Sequence, residues 1–291
     1  MPNLAETEIQ SQPEIWRKVA HNWSDYKDLL PRDGERVGVV GCGTSWFMAQ
    51  SYAALRESLG KGETDAATAA EFLYGRPYDR IVVICRSGTT TEVIELMNRI
   101  SVPSVVITGV ADSPVTKLAT NTILLDYADE ESVLQTRYAT SVLGLLRLSL
   151  GADLNQLADE AEISLASDLG SIPDSEQITF LGEGWTIGLA QEGALKTREA
   201  AQFWAEAYPA LDYRHGPIAI AEKGRTVWVF GAIDAQLQND IRATGAYLEM
   251  SDLDPMVHLI RAQRVAIAIA QKKGLNPDAP RGLSRSVILT K

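Results

Sequence analysis

Cysteine is scarce in this chain: Cys42 and Cys85 are its two cysteines among 291 residues. Two cysteines cannot form a disulfide framework, and the sequence has no cysteine–histidine spacing typical of a zinc site. No apolar run approaches the ~20 residues that a membrane-spanning helix needs. The first residues are polar and acidic, unlike a signal peptide. We therefore expect a cytoplasmic protein that uses no metal or other cofactor and does not act at a membrane.

Positive charge is in the minority as well. The chain has 27 lysines and arginines against 38 aspartates and glutamates, which gives a formal net charge of −11. This balance argues against nucleic acid as the partner, because binding to its phosphates needs a basic field. A small phosphate can still bind to local backbone amides, so an anionic small-molecule substrate remains compatible with the charge.

The two halves of the chain open in the same way. Residues 37–43 are an apolar strand that runs into a Gly-x-Gly turn, and a helix-like stretch follows. Residues 178–184 repeat this plan, and their two glycines lie 141 positions after those of the first copy. A fixed offset of about half the chain indicates an internal duplication. We predict two tandem domains, residues 1–150 with N-terminal helices and residues 151–291 with a C-terminal tail.

Strand-like runs alternate with helical stretches inside each half. This alternation predicts an α/β fold in which helices cover both faces of a parallel, doubly wound sheet. The Val-rich runs are typical of strands buried on both sides. The expected elements include strands at 80–85, 104–108, 122–125, 226–230 and 287–289, and helices at 47–59, 92–100, 135–150 and 254–273.

Hydroxyl side chains and glycines follow the predicted strands at two loops, residues 41–45 and 86–92. Ligands bind at the carboxyl ends of strands in parallel sheets, so these loops predict a phosphate pocket. The same residues could instead serve as helix caps. A third segment, 130–137, follows the last strand of the first half and would lie at the same edge. The candidate binding residues are Cys42, Gly43, Thr44, Ser45, Arg86, Ser87, Gly88, Thr89, Thr90, Ser132, Val133 and Gln135.

A cluster of ionisable residues lies in the second half. Glu192, Lys196 and Glu199 are spaced by four and three, which places them on one face of a helix. His215, one of three histidines, follows shortly after. Two carboxylates, an ammonium and an imidazole would suit acid–base chemistry on a sugar, although the same spacing is common in exposed helices.

Six blocks of this sequence, in this order, resemble the double sugar-isomerase (SIS) family. The resemblance is strongest to the isomerase half of glucosamine-fructose-6-phosphate aminotransferase and to related aminosugar-6-phosphate deaminases. It implies two tandem SIS domains, which are flavodoxin-like. The blocks are Glu8–Pro13, Cys42–Ser45, Ser87–Thr90, Glu192–Glu199, His215–Pro217 and Pro280–Val287.

The resemblance implies a role for each group. The loops would hold a sugar and its 6-phosphate. Glu199 would be the base that moves a proton between the first two sugar carbons through an enediol-like intermediate, and burial that raised its pKa would help. Lys196 would stabilise charge on the enolate oxygen. Glu192 would orient Lys196 or the sugar. His215 would open the sugar ring from a second subunit, which implies a homodimer.

The sequence departs from the family pattern at three residues. Cys85 and Arg86 stand where the aminotransferase has Ser-Gln, and Arg86 would either contact the phosphate or point to solvent. Arg285 replaces a lysine that can form a Schiff base with the open ketose, and an arginine cannot serve as that nucleophile. We therefore expect Arg285 at the sugar site without imine chemistry.

The sequence resembles the SIS region from its start, and we expect no glutamine-hydrolysing domain. We therefore expect an enzyme for isomerisation, deamination or deglycation of a 6-phosphorylated sugar or amino sugar. The alternative is a phosphosugar-binding regulatory protein without catalysis, which would keep the phosphate loops.

Overall fold

The first half of the chain forms a parallel sheet in which five strands lie in the order β2-β1-β3-β4-β5 among residues 3–289, the part that the computed structural model describes. The outermost ends of the two predicted domains therefore lie outside the described residues. The strands of this sheet are β1 Val37–Gly41, β2 Thr64–Thr68, β3 Arg80–Ile84, β4 Ser104–Thr108 and β5 Asn121–Leu124.

The inner strands of this sheet are buried on both faces. Val82 pairs with Val105 and Val83 with Val106 across β3 and β4, and all four side chains are fully buried. Continuous β-branched runs of this kind are what a sheet covered by helices on both sides requires. The prediction of a parallel α/β fold is confirmed.

The second half forms a parallel sheet in the order β7-β6-β8-β9 within the described residues. Counted from the start of each half, this order is that of the first four strands of the first sheet. The strands are β6 Ile178–Gly182, β7 Ala205–Pro209, β8 Thr226–Phe230 and β9 Tyr247–Glu249.

Helices cover both sheets and connect them. None of those in residues 3–289 combines the length and the apolar character that crossing a membrane requires. They are α1 Leu4–Gln10, α2 Gln12–His21, α3 Trp23–Tyr26, α4 Thr44–Ser58, α5 Thr91–Met97, α6 Arg137–Leu148, α7 Leu154–Ala166, α8 Thr186–Ala201, α9 Ala235–Ala243 and α10 Pro255–Lys272.

The two halves dock through α4 and α8. The helices approach so closely at Gly188 that a Cβ there would lie 2.3 Å from the carbonyl oxygen of Phe47. One continuous hydrophobic cluster runs through this contact and includes buried residues of α2, α6 and α10. This docking brings the carboxyl edge of the first sheet next to α8.

The C-terminal tail, residues 278–289, returns to the first half. The Val133 amide donates to the Asp278 carbonyl at 3.0 Å, and the Thr91 amide donates to the Val287 carbonyl at 3.2 Å. The predicted strand at 287–289 is therefore wrong. Its backbone bonds to the start of α5 rather than to a sheet edge.

Candidate active site

Five segments of the chain line one cleft of about 180 Å³ at the carboxyl edge of the first sheet. A groove of similar volume, about 170 Å³ between α1, α7 and α10, contains none of the predicted site residues. The cleft therefore brings the sequence candidates together. Its lining residues are Cys42, Gly43, Thr44, Arg86, Thr90, Val133, Gln135, Lys196, Glu199, Leu283, Ser284, Arg285, Ser286 and Val287.

The turn between β1 and α4 forms one wall. A Cβ on Gly41 would lie 2.5 Å from the backbone carbon of Ser45, so glycine is required for this tight approach. The turn places Thr44 in the cleft at the start of α4, while Ser45 is buried beside it without lining the cleft. Burial raises the pKa of Cys42 to about 11, which keeps it a neutral thiol at neutral pH.

Three hydroxyls meet at the loop between β3 and α5. Ser87 Oγ lies 3.1 Å from Thr89 Oγ1 and 3.1 Å from Ser286 Oγ, and Thr89 Oγ1 lies 2.9 Å from Ser286 Oγ. Gly88 turns this loop with a φ of +65°. Two predicted phosphate ligands are thus bonded to a tail residue that sequence reasoning had not placed in the site.

Arg86 is buried, with 3% of its surface exposed. Its guanidinium donates to the carbonyls of Ser132, Val133 and Arg285 at 3.2–3.3 Å and lies 3.5 Å from the Glu130 carboxylate. The expectation that Arg86 could point to solvent is wrong, because these carbonyls and this carboxylate draw it inward. Burial raises the pKa of Glu130, and the charge of Arg86 opposes that rise.

Arg285 anchors the tail. Its guanidinium donates to the Asp129 carboxylate at 2.6 Å and to the Glu130 carbonyl. The residue lines the cleft as expected, and its charge is paired with Asp129. Asp129 was missed from the sequence, although the acidic run 129–131 was visible there.

Helix α8 supplies the ionisable cluster. Lys196 is 1% exposed, lies 3.5 Å from Glu192 Oε1 and donates a short hydrogen bond to Glu199. Burial lowers the pKa of Lys196, but the charges of Glu192 and Glu199 outweigh it and leave that pKa raised. Lys196 is therefore a buried cation that lies between the side chains of Glu192 and Glu199.

The more buried carboxylate of this cluster is Glu192. It is fully buried, and neither of its carboxylate oxygens has a hydrogen-bond partner within residues 3–289. Burial raises the pKa of Glu192 to about 8, against the opposing charge of Lys196. The Glu199 side chain is 20% exposed, so Glu199, the predicted base, is less buried than Glu192.

Seven predicted residues are not among the lining residues of the cleft in the described part of the chain: Ser45, Ser87, Gly88, Thr89, Ser132, Glu192 and His215. His215 is exposed at the end of the 3₁₀ helix Leu211–His215, and it is not among the lining residues of the cleft in the described part of the chain. The Ser132 hydroxyl is buried and lies 2.6 Å from a carboxylate oxygen of Glu8. Glu8 was missed as a site residue because it stands in the N-terminal helix, far away in sequence.

Comparison with known proteins identifies an SIS domain over residues 32–149, less than half of the chain. The glutamine–fructose-6-phosphate aminotransferase (isomerizing) of Sulfurisphaera tokodaii is 26% identical over 98% of this chain, which spans 56% of that protein's length.

Solved structures share the fold over nearly the full length. The glucosamine-6-phosphate deaminase of Thermotoga maritima superposes with a TM-score of 0.85 at 23% identity, covering 99% of this chain and 100% of that one. The C-terminal domain of the Francisella tularensis glucosamine-fructose-6-phosphate aminotransferase gives a TM-score of 0.82 at 21% identity, covering 96% and 99%.

Proposed function

We propose that this chain is a phosphosugar aldose–ketose isomerase that acts on a 6-phosphorylated sugar or amino sugar, with or without release of its amine. One observation carries the proposal. The hydroxyl-rich loops of the first sheet and the Lys196–Glu199 pair of α8 line the same cleft. An anion site beside an acid–base pair is what proton transfer on a phosphosugar requires.

The phosphate would bind at the loop side of the cleft. Thr44 and Thr90 offer hydroxyls there, and α4 begins at this point with the positive end of its dipole. Ser87 and Thr89 would also bind the phosphate once their hydrogen bonds to Ser286 break. The sugar would then extend towards α8.

Proton transfer would take place at α8. Glu199 would take a proton from one of the first two sugar carbons and deliver a proton to the other, while a second proton passes from the hydroxyl oxygen to the carbonyl oxygen on these carbons, so that the net composition is unchanged. Because the Glu199 side chain is 20% exposed, the proton that it holds would exchange with solvent between the two steps. Lys196 would leave Glu199 to stabilise the negative charge on the enediolate oxygen. Glu192, 3.5 Å from Lys196, would hold the ammonium in position.

The resemblance also supports a second subunit at the site. His215 is exposed and outside the cleft of its own chain, as a ring-opening residue donated across a homodimer would be. The matching strand orders and the 141-residue offset support tandem SIS domains, with a boundary near residue 150. Because Arg285 cannot form an imine, the reaction would proceed without a Schiff base at that residue.

A regulatory protein that binds a phosphosugar without converting it is the second candidate. It is favoured by the bonds of Ser87 and Thr89 to Ser286, which already occupy hydroxyls that would contact the phosphate.

A panel assay separates the two functions. The protein is incubated with 6-phosphorylated aminosugars, ketoses and fructosamines, and ammonia release, ketose–aldose conversion and binding are measured together. Turnover of at least one compound supports the enzyme. Binding without turnover supports the regulator, and the absence of both contradicts both proposals.

A further inference from the structure

Glu8 makes an unusual set of contacts for a residue of an N-terminal helix. Its side chain is 4% exposed. One carboxylate oxygen accepts hydrogen bonds from the Glu131 amide at 2.6 Å and the Ser132 amide at 3.2 Å, and the other lies 2.6 Å from Ser132 Oγ. Charge-assisted hydrogen bonds are the strong ones, so Glu8 fixes the backbone of this loop.

Both arginines that line the cleft, Arg86 and Arg285, bond to the loop that Glu8 holds, residues 129–133. Arg86 donates to the carbonyls of residues 132 and 133, and Arg285 bonds to the side chain of Asp129 and the carbonyl of Glu130. Val133 itself lines the cleft. A shift of the loop would therefore move both guanidinium groups together with one wall of the cleft.

Helix α1 is itself anchored, so Glu8 is a fixed point rather than a mobile one. The Asp278 carboxylate accepts from the amides of Leu4 and Ala5 at 3.0 and 2.8 Å, and Asn3 caps the same helix through Glu6. The Asp278 carbonyl also accepts from Val133. The start of α1, loop 129–133 and the start of the C-terminal tail thus form one connected unit.

We propose that Glu8 is a positioning residue for the substrate site: it fixes loop 129–133, and that loop fixes Arg86 and Arg285. The inference rests on the proposed phosphosugar site in this cleft. Glu8 does not touch the cleft and acts on substrate through the loop alone. Its loss would therefore weaken binding of substrate and leave the Lys196–Glu199 pair of α8 in place.

The test compares Glu8→Ala with Glu8→Gln and the control Glu6→Ala. Glu6 lies on the same helix, and its carboxylate contacts Gln271 instead of the loop. Glutamine at position 8 keeps one oxygen for the two amides, and its amide group can donate to Ser132 Oγ. For each variant, the Kd and KM of a panel compound that binds, kcat, Tm and the hydrogen exchange of residues 129–133 are measured.

We expect Glu8→Ala to raise Kd and KM by about tenfold, the cost of roughly one lost charged hydrogen bond, with kcat within about twofold of the parent. Exchange of the Glu131 and Ser132 amides should become faster. Glu8→Gln should restore most of the affinity, and Glu6→Ala should match the parent protein.

Two other outcomes are decisive. A Glu8→Ala protein with a lower Tm but unchanged Kd and loop exchange would show that Glu8 only stabilises the fold, and the inference would be overturned. If the parent binds no panel compound, the proposed function fails, whereas the exchange measurement still decides whether Glu8 fixes the loop. Unchanged exchange in Glu8→Ala would then refute that part as well.

Discussion

The ammonium of Lys196 lies 3.5 Å from the carboxylate of Glu192, and both side chains are almost completely buried. A charged pair removed from water is costly unless each member is satisfied. Lys196 also bonds to Glu199, whereas the 3.5 Å ion pair with Lys196 and the nearby Thr44 side chain offset the burial of Glu192 only in part. The cost of burial in this arrangement is therefore borne mainly by Glu192 in its ionised form, which burial destabilises.

This burial predicts a pH-dependent stability. The pKa of Glu192 rises from 4.5 to about 8 on folding. The stabilising contribution of Glu192 to the free energy of unfolding is therefore fully present below pH 4.5 and is lost as the pH rises through about 8. The side chain of the Glu192→Gln variant cannot ionise. Between pH 4.5 and about 8, the free energy of unfolding of this variant should therefore increase relative to that of the parent, by on the order of a few kcal/mol.

Urea unfolding at pH 5 and pH 9 measures this change. Glu14→Gln, an exposed glutamate on α2, is the control and should follow the parent at both values. An unfolding free-energy difference between Glu192→Gln and the parent that is the same at pH 5 and pH 9 would refute a raised pKa for Glu192.

Lys196→Met should damage both stability and turnover. At pH 9, where Glu192 is ionised, it leaves this buried carboxylate without its cation, and breaking such a pair costs about 3–5 kcal/mol. It also removes the group that would stabilise the enediolate, for which a loss of about 10²–10³ in kcat is expected. Thermal unfolding and steady-state kinetics measure the two effects. A Lys196→Met enzyme that retains full kcat would exclude the proposed role of Lys196.

The Asp129–Arg285 pair should hold the tail on the cleft. Both side chains are partly exposed, so the pair contributes only about 1 kcal/mol. Cleavage by trypsin after Arg281, a tail site that every variant keeps, should be several-fold faster in Arg285→Ala and in Asp129→Ala. The double variant should be no faster than either single one, because the two residues act on each other. Additive effects would contradict this coupling.

Gly188→Ala should weaken the docking of α4 on α8. A methyl group there would collide with the Phe47 carbonyl at 2.3 Å, and forced overpacking costs about 1–3 kcal/mol. The Tm should fall by several degrees. Gly75→Ala, where a Cβ meets no atom within 4 Å, is the control and should keep the Tm of the parent.

The proposed homodimer predicts complementation. His215→Ala and Glu199→Gln proteins would each be inactive, yet a dimer of one copy of each would have one complete site. Mixing equal amounts after subunit exchange should restore about a quarter of the parent activity per chain. No recovery in a mixture that exchanges subunits would place both residues in the same protomer's site or remove His215 from it.

Much of the fold could be predicted from the sequence because its elements have strong local signals. The helix expected over 254–273 is α10, Pro255–Lys272, and the Asp254 side chain caps its start. The buried strands β3, β4 and β8 are apolar runs that end at polar loops. Such signals depend only on residues close in sequence, so they can be recognised without knowing the tertiary contacts.

The edge strands could not be predicted in the same way. β2 is Thr-Asp-Ala-Ala-Thr, and β7 contains a glutamate and ends in a proline. Their conformation comes from backbone pairing with β1 and β6, which no local pattern reveals. Edge strands often carry polar residues, which prevent pairing with other chains. These residues also hide the apolar pattern by which a strand is recognised in a sequence.

The candidate site was predictable in its loops but not in its connections. The spacing of Glu192, Lys196 and Glu199 places them on one helix face, as the structure shows. The bonds of Glu8 to Ser132 and of Arg285 to Asp129 join residues more than 120 positions apart. These two long-range contacts form only when whole helices and loops dock. The same docking decides that Glu192 is more buried than Glu199.

In the proposed function, this cleft moves a proton between the first two carbons of a 6-phosphosugar with Glu199 as the base. The direct measurement is NMR detection of solvent deuterium entering those carbons of a bound panel compound in D₂O. The parent protein should catalyse the exchange, and Glu199→Gln should slow it by at least about 10²-fold with little change in Kd. Exchange at the parent rate in Glu199→Gln, or neither exchange nor isomerisation in a parent that binds the sugar, would contradict this role of the cleft.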